Sequence, residues 1–427
     1  MLPTTTLTTG RSWKRSASFF AARPPSSTTP PRTLPSGGCQ ASGVFGLASY
    51  ADNFRNHPVG RFIFYFINHL DRRLFEVVVI YPRQTKKDAL TKEIVGRADH
   101  YVAIGGPLQQ QFADIAALEL DVLFYPNSQE SDKTYFLAYG RLAPVQFAFW
   151  GIAETTGIDT IDYYYSSILI EPEEAVAYYS EHLVLASCLP CPIAFYVAPS
   201  ERKSRSDFGL PEKGRIYLCS QSLFKIHPEF DAVLREICRL DPEGHLVFIE
   251  AKIKAQTERL RERWSRSAPE LNERVIWLPR KRSDLFFELL NHADVLLDPI
   301  HFGSGTTFYE AMLHGVPIIT WPGRFMRARI VAGGYRQMGL SDEAPIATSL
   351  DAYAATAVAW AKDKERCQAF RLRAKEANKL LLGAEAARQF ETFLLAALEA
   401  AARGERLPSG WRVPTDAAPT GLTLEAR

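Results

Sequence analysis

The sequence predicts an α/β protein made of two doubly wound, Rossmann-like domains. Short apolar runs bounded by turn residues alternate with helical patterns. They fall into two successive series, and glycine- and hydroxyl-rich stretches follow several of them. Alternating βα units of this kind imply parallel sheets with right-handed crossovers.

The elements follow in order. The first 40 residues are rich in Ser, Thr, Pro and Arg, and no acidic residue precedes Asp52. Such a composition builds no core, so 1–40 reads as a disordered leader. Its Arg/Ser-rich, acid-free character is also that of an organelle transit peptide, while an apolar signal region is lacking. The first domain, 41–190, carries strand-like runs at 43–49, 75–82, 99–105, 121–127 and 145–151. A Pro-rich joint lies within 186–205, with the linker placed at 191–205. The second domain, 206–350, carries runs at 215–220, 245–251, 274–279, 294–299 and 316–322. Residues 351–402 are Ala/Leu/Lys/Glu-rich and helical, and their amphipathic final stretch is expected to pack back on the domains. Residues 403–427 read as a flexible tail.

Composition excludes several classes. The formal charge is +2, with basic and acidic residues interleaved, so nucleic acid is not an expected partner. No apolar run approaches the roughly 18 residues of a membrane helix. The expected location is cytoplasmic, unless 1–40 directs the chain to an organelle. Six irregularly spaced cysteines do not make a disulfide scaffold. Cys188-Leu-Pro-Cys191 is a lone CxxC with no second pair, which favours a structural or hinge role. No Asp-x-Asp, HExxH or paired-carboxylate signature is present. No metal site is therefore expected.

The chemistry concentrates after strands. In "DVLLDPIHFGSGTTFYEAMLHG" (294–315), Gly303 and Gly305 permit close backbone approach, and Ser304 or Gly305 starts a helix. Helix N–H groups, the dipole and the hydroxyls of Thr306 and Thr307 suit a phosphate or diphosphate. Glu310, four residues after Thr306, shares its helix face and suits ribose hydroxyls. The stretch is neither a full G-x-G-x-x-G nor a Walker loop, and equally reads as a tight turn with a Thr-rich first helical turn. After "RIYLCS" come Gln221, Lys225 and His227. Lys225 is placed for a diphosphate and Gln221 for a base or sugar; a solvated loop is the competing reading. In "DNFRNHPVGRF" (52–62), His57 is a candidate general base or a helix cap, with Pro58 opening the helix. Thr155, Thr156 and Gly157 form a polar turn for sugar hydroxyls or a long loop packed by Tyr163 to Tyr165.

Together, "FRNHPVGRF", "RLAPVQFAFWGIAETTGIDTIDYY", "SRSDFGLPEKGRIYLCSQSLFKIHPE" and "ADVLLDPIHFGSGTTFYEAMLHGVPIITWPGRFMRARI" resemble the catalytic region of the O-linked N-acetylglucosamine transferase and SPINDLY group, glycosyltransferase family 41. The similarity runs from about residue 43 to 400 and is strongest to bacterial members lacking, or separated from, tetratricopeptide repeats. It implies a GT-B fold, two Rossmann-like domains facing a cleft. It also implies inverting, metal-independent transfer of N-acetylglucosamine or a hexose from a UDP-sugar to a hydroxyl or amide, chiefly on protein. No further cofactor is implied. By the resemblance His57 matches the family's proposed base or acceptor contact. Gln221 and Lys225 match nucleotide and diphosphate contacts, Thr306 and Thr307 the paired threonines, and Glu310 the ribose-binding acid.

The sequence also departs from the family. Gly305 stands where animal enzymes have His, Ser283 and Phe286 stand near their uracil-side basic cluster, and Ile152-Ala153 follow the glycine at 151. No tetratricopeptide repeat occurs in these residues. Two alternatives follow: a transferase acting on a saccharide or small molecule, and a non-catalytic nucleotide-sugar-binding paralogue.

Overall fold

The computed structural model describes residues 45–190, 192–193, 202–280 and 283–415. The expected leader, Cys191 and most of the expected linker lie outside these residues. The chain divides into two compact units. Among the described residues, one comprises 45–168, 173–190, 192 and 384–415, and the other 169–172, 193, 202–280 and 283–383.

In the first unit, strands β1 (Phe45–Tyr50), β2 (Phe75–Pro82), β3 (His100–Ile104), β4 (Val122–Tyr125), β5 (Val145–Phe149), β6 (Tyr163–Ser167) and β7 (His182–Ala186) form a parallel sheet. Their order is β7-β6-β5-β4-β1-β2-β3. The chain thus runs outward from β1 in one direction and from β4 in the other. The switch point lies between β1 and β4. β1, β2, β4 and β5 are near-continuous apolar runs because both faces of the sheet are covered.

β6 corrects the reading of Tyr163 to Tyr165 as packing for a long loop. These tyrosines are buried in an internal strand. A tyrosine run carries no alternation that would mark it as strand, and only pairing with β5 and β7 decides its state.

The second unit holds β8 (Arg215–Cys219), β9 (Gly244–Ile249), β10 (Val275–Leu278), β11 (Val295–Leu297) and β12 (Ile318–Ile319), all parallel, in the order β10-β9-β8-β11-β12. Its switch point lies between β8 and β11. In open sheets of this kind, ligands bind beyond the carboxyl ends of the strands at the switch point.

The C-terminal helices separate between the units. Leu350–Lys362 and Lys364–Ala377 belong to the second unit and Glu385–Ala402 to the first. Phe390 of the last helix stacks on Phe66 with ring centroids 4.4 Å apart, and Phe393 stacks on Tyr165 at 5.2 Å. Full burial of a phenylalanine contributes about 1.5–3 kcal/mol. The apolar face foreseen in the sequence is therefore the one that docks. The segment read as a flexible tail contributes β13 (Trp411–Arg412), which pairs with β7 at the sheet edge. His182 Nδ1 and Leu407 O, 2.6 Å apart, and the Ser409 hydroxyl, 3.0 Å from Leu183 N, fix its approach.

No helix among the described residues is long and apolar enough to cross a membrane. Cys188, Cys219, Cys238 and Cys367 are buried and unpaired among the described residues. Burial pushes the Cys188 thiol up to about 12, so this half of the CxxC is not a thiolate at neutral pH.

Candidate active site

The loops after β8 and β11 meet at the second unit's switch point. Lys225 donates to Gly303 O at 2.8 Å and to Gln221 Oε1 at 3.1 Å. Gln221 donates in turn to Ser304 Oγ at 2.9 Å. Four of the residues singled out in the sequence thus form one hydrogen-bonded chain across two loops. The Lys225 ammonium also lies 4.2 Å from the Phe302 ring centroid, a cation–π distance.

Beneath this chain lies Asp298, which the sequence reading did not select. It is 3 % exposed. Its Oδ1 accepts from Ser304 N at 2.6 Å, and its Oδ2 accepts from the Thr320 hydroxyl at 2.8 Å. The Asp298 backbone is held as well, its N–H donating to Tyr353 OH at 2.8 Å. A Cβ on Gly303 would stand 2.6 Å from the Asp298 carboxylate, so Gly303 is glycine to admit that carboxylate. A Cβ on Gly305 would meet nothing within 4 Å, and Gly305 caps the helix Thr306–His314 without a side-chain bond. The two glycines therefore do different work. The sequence signal for Asp298 was an acidic residue ending an otherwise apolar strand, where burial forces it to bind its own loop.

Burial holds the Lys225 ammonium down at about 8, although Asp298 and Cys219 pull it upward. Part of the side chain still reaches solvent while protein packs densely around it. Burial likewise raises the Asp298 carboxyl above the usual carboxylate range, against the hydrogen bonds from Thr320 and Ser304 and the charge of Lys225. Thr306, Thr307 and Glu310 are half-buried on the first turns of their helix, and Gly315 ends it in the left-handed conformation. His227 is not part of the Lys225 chain. It caps Pro228–Leu240, its Nδ1 accepting from Glu229 N at 3.3 Å.

At the first unit's switch point, His57 caps the helix Pro58–His69, its Nδ1 accepting from Val59 N at 3.4 Å. Its Nε2 lies 3.6 Å from Glu130 Oε1, on the loop after β4. Asn127 Nδ2 donates to Glu130 Oε2 at 2.6 Å. Burial lowers the His57 pKa, and Glu130 opposes that shift. Asn127 Oδ1, Gln129 Oε1 and Ser131 Oγ, on the same loop, are buried without a partner.

Thr155 and Thr156 are drawn to the buried Glu181. Its Oε2 accepts from the Thr155 hydroxyl at 2.7 Å, and its Oε1 accepts from Thr156 N at 2.7 Å and from the Thr156 hydroxyl. Gly157 follows with φ +68° and closes the turn. In this structure these hydroxyls hold the loop. Gly151, just upstream, lies against Pro126 O, which a Cβ there would approach to 1.9 Å.

Two doubly wound parallel units, the second with a cationic, glycine-bearing loop pair at its switch point, define the GT-B class of fold. Comparison with known proteins agrees. The model of glycosyl transferase family 41 matches residues 197–381. Among curated proteins, the probable UDP-N-acetylglucosamine–peptide N-acetylglucosaminyltransferase SEC of Arabidopsis thaliana is 24 % identical over 331 residues, covering 75 % of this chain and 33 % of the relative. The probable transferase SPINDLY of the same plant is 28 % identical over 291 residues, 64 % of this chain and 30 % of the relative. The chain thus spans about a third of the length of these curated relatives. Among solved structures, a mutant of the Thermobaculum terrenum O-GlcNAc transferase superposes with a TM-score of 0.73 at 21 % identity, over 85 % of this chain and 69 % of that one. Anabaena HepE, solved with UDP and glucose, gives 0.53 at 12 % identity, over 82 % and 99 %. The chain is thus similar to glycosyl transferase family 41, with the family model matching residues 197–381, as its sequence blocks implied.

Proposed function

We propose that the chain is an inverting glycosyltransferase that moves a sugar, N-acetylglucosamine or a hexose, from a UDP donor to a hydroxyl or amide on protein. The observation that carries this reading is the half-buried Lys225 ammonium, joined through Gly303 O and Gln221 to the loop that opens the helix Thr306–His314. That helix start offers N–H groups and the positive end of the dipole, with the Thr306 and Thr307 hydroxyls beside them. The relatives named as UDP-N-acetylglucosamine–peptide transferases and the UDP complex of HepE support the donor class.

In the proposed reaction the acceptor oxygen or nitrogen attacks the sugar anomeric carbon. The bond from that carbon to the diphosphate oxygen breaks, and the electron pair leaves with UDP. Lys225 and the N–H groups after Gly305 stabilise the departing diphosphate, so the charge is met without a metal ion. Glu310, one turn further along, holds the ribose. Gln221 acts through Lys225 and Ser304 as a positioning residue.

The acceptor proton goes to His57 in this scheme. His57 must first release its Nδ1 cap on Val59, a 3.4 Å contact. A cap of this kind contributes about 0.5–2 kcal/mol, small beside the barrier the base removes. Glu130 at Nε2 would then stabilise the imidazolium.

Calorimetric titration of UDP and UDP-N-acetylglucosamine into the full chain tests the donor site. Binding by the native chain and its loss in Lys225→Ala are expected; equal binding by both would overturn the assignment. Intact-mass spectrometry of co-expressed proteins tests the acceptor. Added hexose or N-acetylhexosamine is expected, and transfer to a free saccharide alone would move the reading to a saccharide transferase.

A further inference from the structure

Two histidines and a glutamate converge beside the donor loops without entering the hydrogen-bonded chain of Lys225. They are His227 and Glu229, at the start of the helix Pro228–Leu240, and His301, just before Phe302 and Gly303. One ligand atom from each lies within 4.8 Å of the others. His301 Nε2 and Glu229 Oε2 are 2.8 Å apart, and the His227 and His301 rings meet edge to face with centroids 4.7 Å apart.

His301 sits at φ +68°, one of the two non-glycine residues in the left-handed region among those described. A histidine there is held against its backbone preference, and such strain persists where surrounding structure over-determines it. That conformation brings His301 to Glu229, 72 positions away in the sequence. No linear motif joins residues so far apart, so a scan for sequence signatures passes over them.

An ion pair with Glu229 needs one imidazole, and here there are two. Two imidazoles and one carboxylate form a borderline donor set. Zn²⁺, Co²⁺ and Ni²⁺ accept it, whereas Mg²⁺ prefers oxygen donors alone. Bonds of about 2.0–2.2 Å place tetrahedral ligand atoms roughly 3.4 Å apart. A separation as wide as 4.8 Å must therefore close by about 1.4 Å. Partly exposed side chains can do this by χ rotation: His301 is 43 % and Glu229 57 % exposed. His227 is exposed as well and has the same freedom. Three protein ligands leave a coordination position for water or an anionic oxygen.

We propose that His227, Glu229 and His301 form a binding site for a divalent transition-metal ion of the Zn²⁺ class, clamping the loop after Lys225 to the loop before Gly303. The site uses none of the side chains assigned to the donor, and the charge of the leaving diphosphate is not routed through it.

The test is a titration of Zn²⁺ into the full chain after dialysis against chelator, with Co²⁺ absorption as a second probe and excess Mg²⁺ present. One equivalent of Zn²⁺ should bind and raise the melting temperature by mass action. Co²⁺ should give an imidazole- and oxygen-ligated spectrum without thiolate bands. His301→Asn retains a residue that tolerates the left-handed backbone and removes the imidazole. It should weaken Zn²⁺ binding by about tenfold or more. His227→Gln should do the same, and the double variant should bind no ion at this site. Equal Zn²⁺ binding by the native chain and the double variant would overturn the proposal, as would no binding by the native chain at about 100 μM. UDP titration in chelator reports on the donor site separately, so a failed metal site and a failed donor reading give different results.

Discussion

The loops at the second unit's switch point spend their polar atoms on one another. Asp298 takes Ser304 N and Thr320, Lys225 takes Gly303 O, and Gln221 bridges Lys225 to Ser304. At the first unit's switch point, His57 and Glu130 are 3.6 Å apart, each about a third exposed, and Asn127 Oδ1, Gln129 Oε1 and Ser131 Oγ have no partner. Both units follow the same topological rule. One has loops tied to each other by their own hydrogen bonds, and the other has a polar loop with acceptors and a hydroxyl still unspent. Preorganised donors stabilise developing charge without reorganising during reaction, which suits a leaving diphosphate. Unspent polar atoms suit a partner that varies.

The largest expected effect breaks the preorganised side. Lys225→Ala removes a charged donor, and such bonds contribute about 1.5–3 kcal/mol. UDP affinity measured by calorimetry should fall by roughly 10- to 150-fold. Gly303→Ala sets a methyl group against the Asp298 carboxylate and should cost about 1–3 kcal/mol in denaturant unfolding. Gly305→Ala, pointing into open space, should cost well under about 1 kcal/mol. Equal costs for the two glycines would show that Asp298 does not shape this loop.

The same side carries the pH dependence. Lys225 titrates at about 8 in the free protein, below its usual 10.5. It is charged below that point and loses its proton above it. UDP affinity should be level at lower pH and decline as pH rises through about 8, and Lys225→Ala should flatten the profile. The stability term has the opposite sense. The unfolded chain holds this proton up to the higher value, so the cost of burying the charge fades as pH climbs from about 8 to 10.5.

Smaller effects sharpen the first unit's side. His57→Ala should lose about 0.5–2 kcal/mol of stability through the cap and lower turnover, with UDP affinity unchanged. Full turnover at saturating donor would remove His57 from the reaction. Ser131→Ala deletes a hydroxyl that has no partner, and its unfolding midpoint should move by the equivalent of about 0.5 kcal/mol or less.

Much of this was legible in the sequence. Lys225, Gln221 and the 303–307 loop stood out because glycine, hydroxyl and lysine cluster after apolar runs, and strand ends are where such residues can meet a ligand. The loop proposed to hold the donor was therefore easier to pick out than the residues that support it. Asp298 was passed over because its partners, Ser304 and Thr320, lie 6 and 22 residues away and only the fold brings them to it. The threonines of the 155–157 turn looked like ligand groups because nothing nearby in sequence pairs with them. Glu181, 25 residues on, does so in the structure.

The sequence by itself determined the α/β class, the two-unit plan and the docking face of the last helix. Each is set by apolar periodicity, a local property of the chain. Tertiary structure alone decided that Tyr163 to Tyr165 form an inner strand and that 411–412 close the sheet edge. It also decided that Gly303 makes room for a buried carboxylate, and that His301 meets Glu229 across 72 residues. Pairing, burial and close approach depend on what lies opposite a residue, and that neighbour is rarely the next one in the chain.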